Sequence, residues 1–155
     1  MEPKQLDLAI RIVAVFADAL ASAPTMSLRA AGEIDAGMAP SLHDAEQDSP
    51  SVAYLEKHAY DLPFLDAKSW KHYLPLLLAV AVSNAEAAPN AVDGLLSSLR
   101  PPDRQPPRLA SLSAEQEQVL VAVLEFLAFS ENSSHSDAAC TALEEWWGES
   151  PLYRG

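Results

Sequence analysis

A chain of 155 residues with 49% apolar side chains is long enough to bury a core and too apolar to stay unfolded, so a single domain over residues 1–155 is expected. Its 22 acidic and 10 basic residues leave a net charge of −12, a field that repels the phosphates of nucleic acid and an anionic membrane surface. The lone Cys140 excludes an internal disulfide and a cysteine-built zinc site.

Only 5 glycines stand against many alanines and leucines, and no alternating β-branched or aromatic run of useful length occurs. The expected fold class is all-α: a compact bundle of about six helices around a proline-bent or restarted central helix. The first helix is predicted from about Pro3 to Ala21. Leu6, Ile10, Val13, Ala17 and Leu20 recur at helical spacing and form an apolar stripe. Leu8, Ile12, Val15 and Ala19 broaden it, which predicts a well-buried helix, ended by Pro24. The same stretch followed by Ala21-Ser22-Ala23 has the outline of a secretory leader. Glu2 and Asp7 spoil its basic start and Arg11 and Asp18 interrupt its apolar part, so no cleaved leader is expected.

Gly32, Gly37, Pro40 and Pro50 punctuate the next region. Within it "PSLHDAEQDSP" is predicted as a short helix, with Ser41 as cap and Asp44 three residues on. A second short helix is expected at Val52 to Lys57. "YDLPF" reads as extended, because Pro63 disfavours a helical conformation at Leu62.

Asp66 is a good N-cap for a helix starting at Ala67, which places Trp70, Tyr73 and Leu74 on one face. Pro75 lacks an N–H, so a kink or restart is expected there, with Leu76, Leu77, Val80 and Ala81 buried beyond it. Leu74 to Ala85 is the most apolar run and is too short to span a bilayer. "PNAVDGLLSSLR" is a short helix with Val92, Leu95, Leu96 and Leu99 inward. "RPPDRQPPR" forbids a regular helix. Its Arg100, Arg104 and Arg108 are the densest positive charge and are expected to neutralise the acidic surface beside them, with anion binding as the other reading.

Ser113 and Gln116 form a capping box, and Glu115 and Glu117 suit the positive helix end. Val119, Leu120, Val123, Leu124 and Leu127 make the core face of that helix. The last helix is predicted from Ser136 to Trp147, capped by Ser134 or Ser136 and stopped by Gly148 and Pro151. Trp146 and Trp147 cannot share one face, so one is expected to be exposed. Cys140 lies among Ala138, Ala139 and Ala142, which predicts a buried thiol.

Three pieces taken in order, "SLHDAEQDS", "LPFLDAKSWKHYLPLLLAVAVSN" and "LSAEQEQVLVAVLEFLAF", resemble a family of small bacterial proteins of unknown function. Its pattern is an Ala-Glu helix, a Phe-Leu-Asp-Ala segment, an aromatic, Tyr-Leu-Pro, and a capped helix ending Phe-Leu-Glu. The likeness covers residues 41–130 and departs at Ser113-Ala114, where the family often has Thr-Pro. It implies a helical fold and carries over no catalytic residue.

The chemistry-bearing residues match no motif. His43, Asp44, Glu46 and Asp48 are the one local polar cluster, and their spacing fits no metal pattern. His58, His72 and His135 are scattered. No nucleophile elbow or phosphate-cradling glycine loop occurs. No catalytic, cofactor-binding or metal site is therefore expected. The function expected is a cytoplasmic, non-enzymatic binding protein of the immunity type, which neutralises a basic toxin or effector by direct contact. Its contact residues are expected in two acidic groups. The first is Asp44, Glu46 and Asp48. The second is Glu144, Glu145 and Glu149 with Trp147 as an exposed aromatic anchor. A housekeeping or regulatory module, or an enzyme whose site gathers dispersed residues, is the alternative.

Overall fold

The computed structural model describes residues 1–131 and 133–154. Among them the chain is all-helical. Eight α-helices occur rather than about six: α1 Pro3–Val15, α2 Ala17–Ala21, α3 Leu28–Asp35, α4 Val52–His58, α5 Ala67–Ser83, α6 Pro89–Ser98, α7 Ala114–Ala128 and α8 Ser136–Ala142. Short 3-10 segments cover Ala59–Phe64 and Leu109–Ser111, and a π-helical turn covers Leu143–Trp147.

The core is built on α5. Asp66 accepts the Ser69 amide at 3.1 Å and starts the helix, as its cap position predicts. Trp70, Tyr73, Leu74, Leu77, Leu78, Val80, Ala81 and Val82 are all buried. The helix does not restart at Pro75 but runs through it for 17 residues. A proline inside an isolated helix costs about 3 kcal/mol. Here the halves on either side bury their apolar faces against α1, α6 and α7, and packing holds them in one element.

The N-terminal segment departs from its prediction in two ways. It breaks at Phe16, which is fully buried. The Gln116 side chain of α7 donates to the Val15 carbonyl at 3.1 Å at that break. The buried face is also the other one. Leu8, Ile12 and Phe16 face α5 and α7, whereas Leu6, Ile10 and Val13 are 51%, 61% and 58% exposed. Both faces of α1 are apolar, so periodicity alone could not choose between them.

"YDLPF" is not extended. It forms the 3-10 segment Ala59–Phe64, which packs on α6. Gly94 permits that approach, since a Cβ there would stand 2.8 Å from the Ala59 carbonyl oxygen. Arg108 donates to the Leu62, Pro63 and Leu65 carbonyls, and Arg104 donates to that of Pro63. These long-range donors take up the carbonyls around the 3-10 turn and outweigh the local preference for extension.

The α6 and α7 readings hold. Val92, Leu95, Leu96 and Leu99 are buried, as are Val119, Leu120, Val123, Leu124 and Leu127. The Ser113–Gln116 capping box is present in both directions, at 3.1 and 3.0 Å. At α8 neither serine caps: His135 is the N-cap residue, and the Ser136 hydroxyl donates to the Ala128 carbonyl at 2.6 Å, tying α8 to the end of α7. Cys140 is half-buried rather than buried. Among the described residues no helix is long and apolar enough to cross a membrane.

Candidate functional site

Residues 37–51 form no helix. A turn over residues 45–48 replaces the short helix expected there. Gly37, at φ +78°, closes α3 in the left-handed conformation that glycine adopts without strain, and the chain leaves as a loop. Both capping signals, Ser41 and Asp44, are used for loop closure instead. The Ser41 hydroxyl and amide donate to the Glu33 carboxylate at 2.9 and 2.8 Å. Asp44 Oδ1 accepts the Glu46 and Gln47 amides, each at 2.9 Å.

The anchor of the loop is Asp48, which is 2% exposed. Its carboxylate accepts Arg29 Nε and Nη2 at 3.0 Å each, the Tyr54 hydroxyl at 2.9 Å and the Asp44 amide at 2.8 Å. Arg29 also reaches the Leu42 carbonyl at 3.4 Å. Burial pushes the Asp48 carboxyl up, but the hydrogen bonds from Arg29, the Asp44 amide and Tyr54 outweigh it and leave the pKa at about 2. The Tyr54 phenol is pushed up by burial and stays a donor to Asp48.

Asp48 therefore leaves the set of surface contact residues. A carboxylate with every neighbour filled cannot meet a partner, and it positions the loop instead. Asp44 and Glu46 remain at the surface. Between them and α3 the loop presents Leu42, 91% exposed, and Met38, 59% exposed. The product is a loop without regular structure, fixed from beneath, that carries an apolar tip among carboxylates. Arg29 and Tyr54 were missed in the sequence because nothing local marks them. Arg29 lies 19 residues from Asp48.

The second acidic group is only partly assembled. Glu144 and Glu149 are exposed. Glu145 is held by Arg100, Nε to Oε1 at 2.5 Å and Nη2 to Oε2 at 3.0 Å, and that bond keeps its carboxyl below the usual range. Trp147 is not the exposed aromatic. It is 4% exposed and donates Nε1–H to the Leu99 carbonyl at 2.9 Å. The π-turn explains this: Gly148 bonds to the Leu143 carbonyl, five residues back, and the wider turn rotates Trp147 into the core. Trp146 is half-buried, with the Arg154 guanidinium 5.3 Å from its ring centre.

Two of the histidines, His72 and His135, bond to backbone carbonyls and tie elements of the fold together. His72 Nδ1 lies 2.9 Å from the Ala19 carbonyl, and His135 Nε2 lies 3.2 Å from that of Pro89. Among the described residues no three His, Cys, Asp or Glu side chains gather as a metal site.

Neither a curated protein nor a solved structure matches the chain. A family model does match, over residues 4–150, which contain the Phe-Leu-Asp-Ala and Tyr-Leu-Pro segments. The chain belongs to that family, a family of unknown function designated DUF6714.

Proposed function

We propose that the protein is a cytoplasmic, non-enzymatic binding protein of the bacterial immunity type, which blocks a basic toxin or effector by covering it. The observation that carries this reading is the anchored loop 37–51. Leu42 stands 91% exposed beside the surface carboxylates Asp44 and Glu46, on a loop whose shape is set by the buried Asp48. A rigid loop loses little conformational freedom on binding, so more of its contact energy becomes affinity. An apolar anchor ringed by carboxylates suits a partner that presents an apolar socket among lysines and arginines. The net charge of −12 speeds the encounter with such a partner at low salt. Glu144 and Glu149, both exposed, form a separate second contact group.

Co-expression with the product of the adjacent gene tests the proposal. The neighbour is expected to be toxic alone, to be neutralised by this protein and to co-purify with it. The double variant Leu42→Asp/Glu46→Lys is expected to keep the fold and lose protection. A neighbour that is harmless or unbound sinks the immunity reading, and full protection by the double variant moves the interface off the loop.

A further inference from the structure

We propose that the cleft beneath the proline-rich loop binds a compact oxyanion, a phosphoryl group above all, through Arg104 and Arg108. The cleft measures about 550 Å³ and its polar lining includes Tyr60, Ser97, Arg100, Asp103, Arg104 and Arg108. It lies apart from the acidic loop and does not depend on the binding function proposed for it.

The loop that carries these arginines is rigid from within. Asp103 Oδ1 accepts the amides of Arg104, Arg108 and Leu109 and Oδ2 accepts that of Ala110, each at 2.9 Å. This arrangement throws two guanidinium groups together. Arg104 and Arg108 both donate to the single carbonyl oxygen of Pro63. Among the described residues no carboxylate lies within 4 Å of either cation. The acids that face them are committed elsewhere: Asp103 to those four amides, and Asp66 to the start of α5. Arg100, by contrast, is closed by Glu145.

Arg108 is 8% exposed, and a buried cation ordinarily sits on a carboxylate. Here two like charges meet on the Pro63 carbonyl, and Arg108 has only the Leu62 and Leu65 carbonyls besides, in a chain that carries 22 acidic residues. Carbonyl dipoles solvate them and the more distant Asp66 and Asp103 offset part of the Arg108 charge, but among the described residues no carboxylate pairs directly with either cation at the wall of the open cleft. A multiply charged tetrahedral anion cancels it and accepts from both guanidinium groups at once, which a monovalent carboxylate does less well.

Isothermal titration of the full chain with sodium phosphate and with pyrophosphate, against sodium acetate and sodium chloride at equal ionic strength, tests the site. Phosphate or pyrophosphate is expected to bind saturably and raise Tm, with acetate at least tenfold weaker. Arg104 is exposed, so Arg104→Gln is expected to fold and to lose at least tenfold in affinity. Arg104→Lys, which keeps the charge without the fork, is expected to lose several-fold. Absence of saturable binding to the wild-type chain overturns the proposal. So does unchanged binding by both variants, and acetate binding as tight as phosphate overturns the phosphoryl assignment.

Discussion

The Arg29 guanidinium grips the Asp48 carboxylate with two bonds of 3.0 Å, Nε to Oδ1 and Nη2 to Oδ2, and so joins α3 to the end of a loop without regular structure. The pair does not stand alone. The Tyr54 hydroxyl accepts the Arg29 amide at 3.1 Å while donating to Asp48 at 2.9 Å. Close by, the Tyr73 hydroxyl on α5 accepts the Leu28 amide at 3.4 Å. The first turn of α3 is thus capped by side chains from α4 and α5 together with its own Ser27, and the loop rests on that cap.

Replacing Asp48 with alanine leaves the Arg29 guanidinium and the Tyr54 hydroxyl without their acceptor. Arg29 is partly exposed, so the cost is that of leaving a buried hydroxyl and a half-open cation without their acceptor, about 1–3 kcal/mol. Asp48→Ala is expected to lower the unfolding free energy from urea titration by that amount and to free the loop, read as faster proteolysis within residues 38–50.

Acid should act through the same carboxyl. Its folded pKa of about 2 lies below the ordinary 3.8, so its contribution is complete above pH ~4 and is lost as pH falls through ~2. The difference corresponds to about 2 kcal/mol. Urea unfolding at successive pH values is expected to show the gap between wild type and Asp48→Asn closing across that window. A gap that stays constant from pH 5 to pH 2 contradicts the assignment.

Gly94→Ala forces a methyl against the Ala59 carbonyl, 2.8 Å from its oxygen. The atoms it meets are the backbone and Cβ of Ala59, which offer no flexible side chain to give way. Overpacking of this kind costs about 1–3 kcal/mol, and the Tm of the variant should fall accordingly.

Trp147→Phe retains most of the buried ring and removes the donor to the Leu99 carbonyl. An unsatisfied buried acceptor costs about 1–3 kcal/mol. Trp146→Phe removes an N–H that has no partner among the described residues and is expected to be nearly neutral. Thermal unfolding of the two variants side by side checks the assignment of the inward tryptophan.

The sequence by itself determined the all-helical class, the caps at Asp66 and Ser113 and the buried faces of α6 and α7. It also identified Trp70 and Tyr73 as core, and it carried the likeness to a family of unknown function. These features rest on interactions within a few residues: a side chain reaching an amide three positions on, or a stripe that repeats every turn. The tertiary structure decided the rest. It chose which apolar face of α1 to bury, carried α5 through Pro75 and turned "YDLPF" into a 3-10 segment. It also sent Asp48 inward to Arg29 and Trp147 inward to Leu99. In each case the deciding partner sits far along the chain, 19 residues away for Arg29 and Asp48 and 48 for Trp147 and Leu99. A charge or an indole reads as surface or core only when that partner is known, because burial without it costs more than solvation returns.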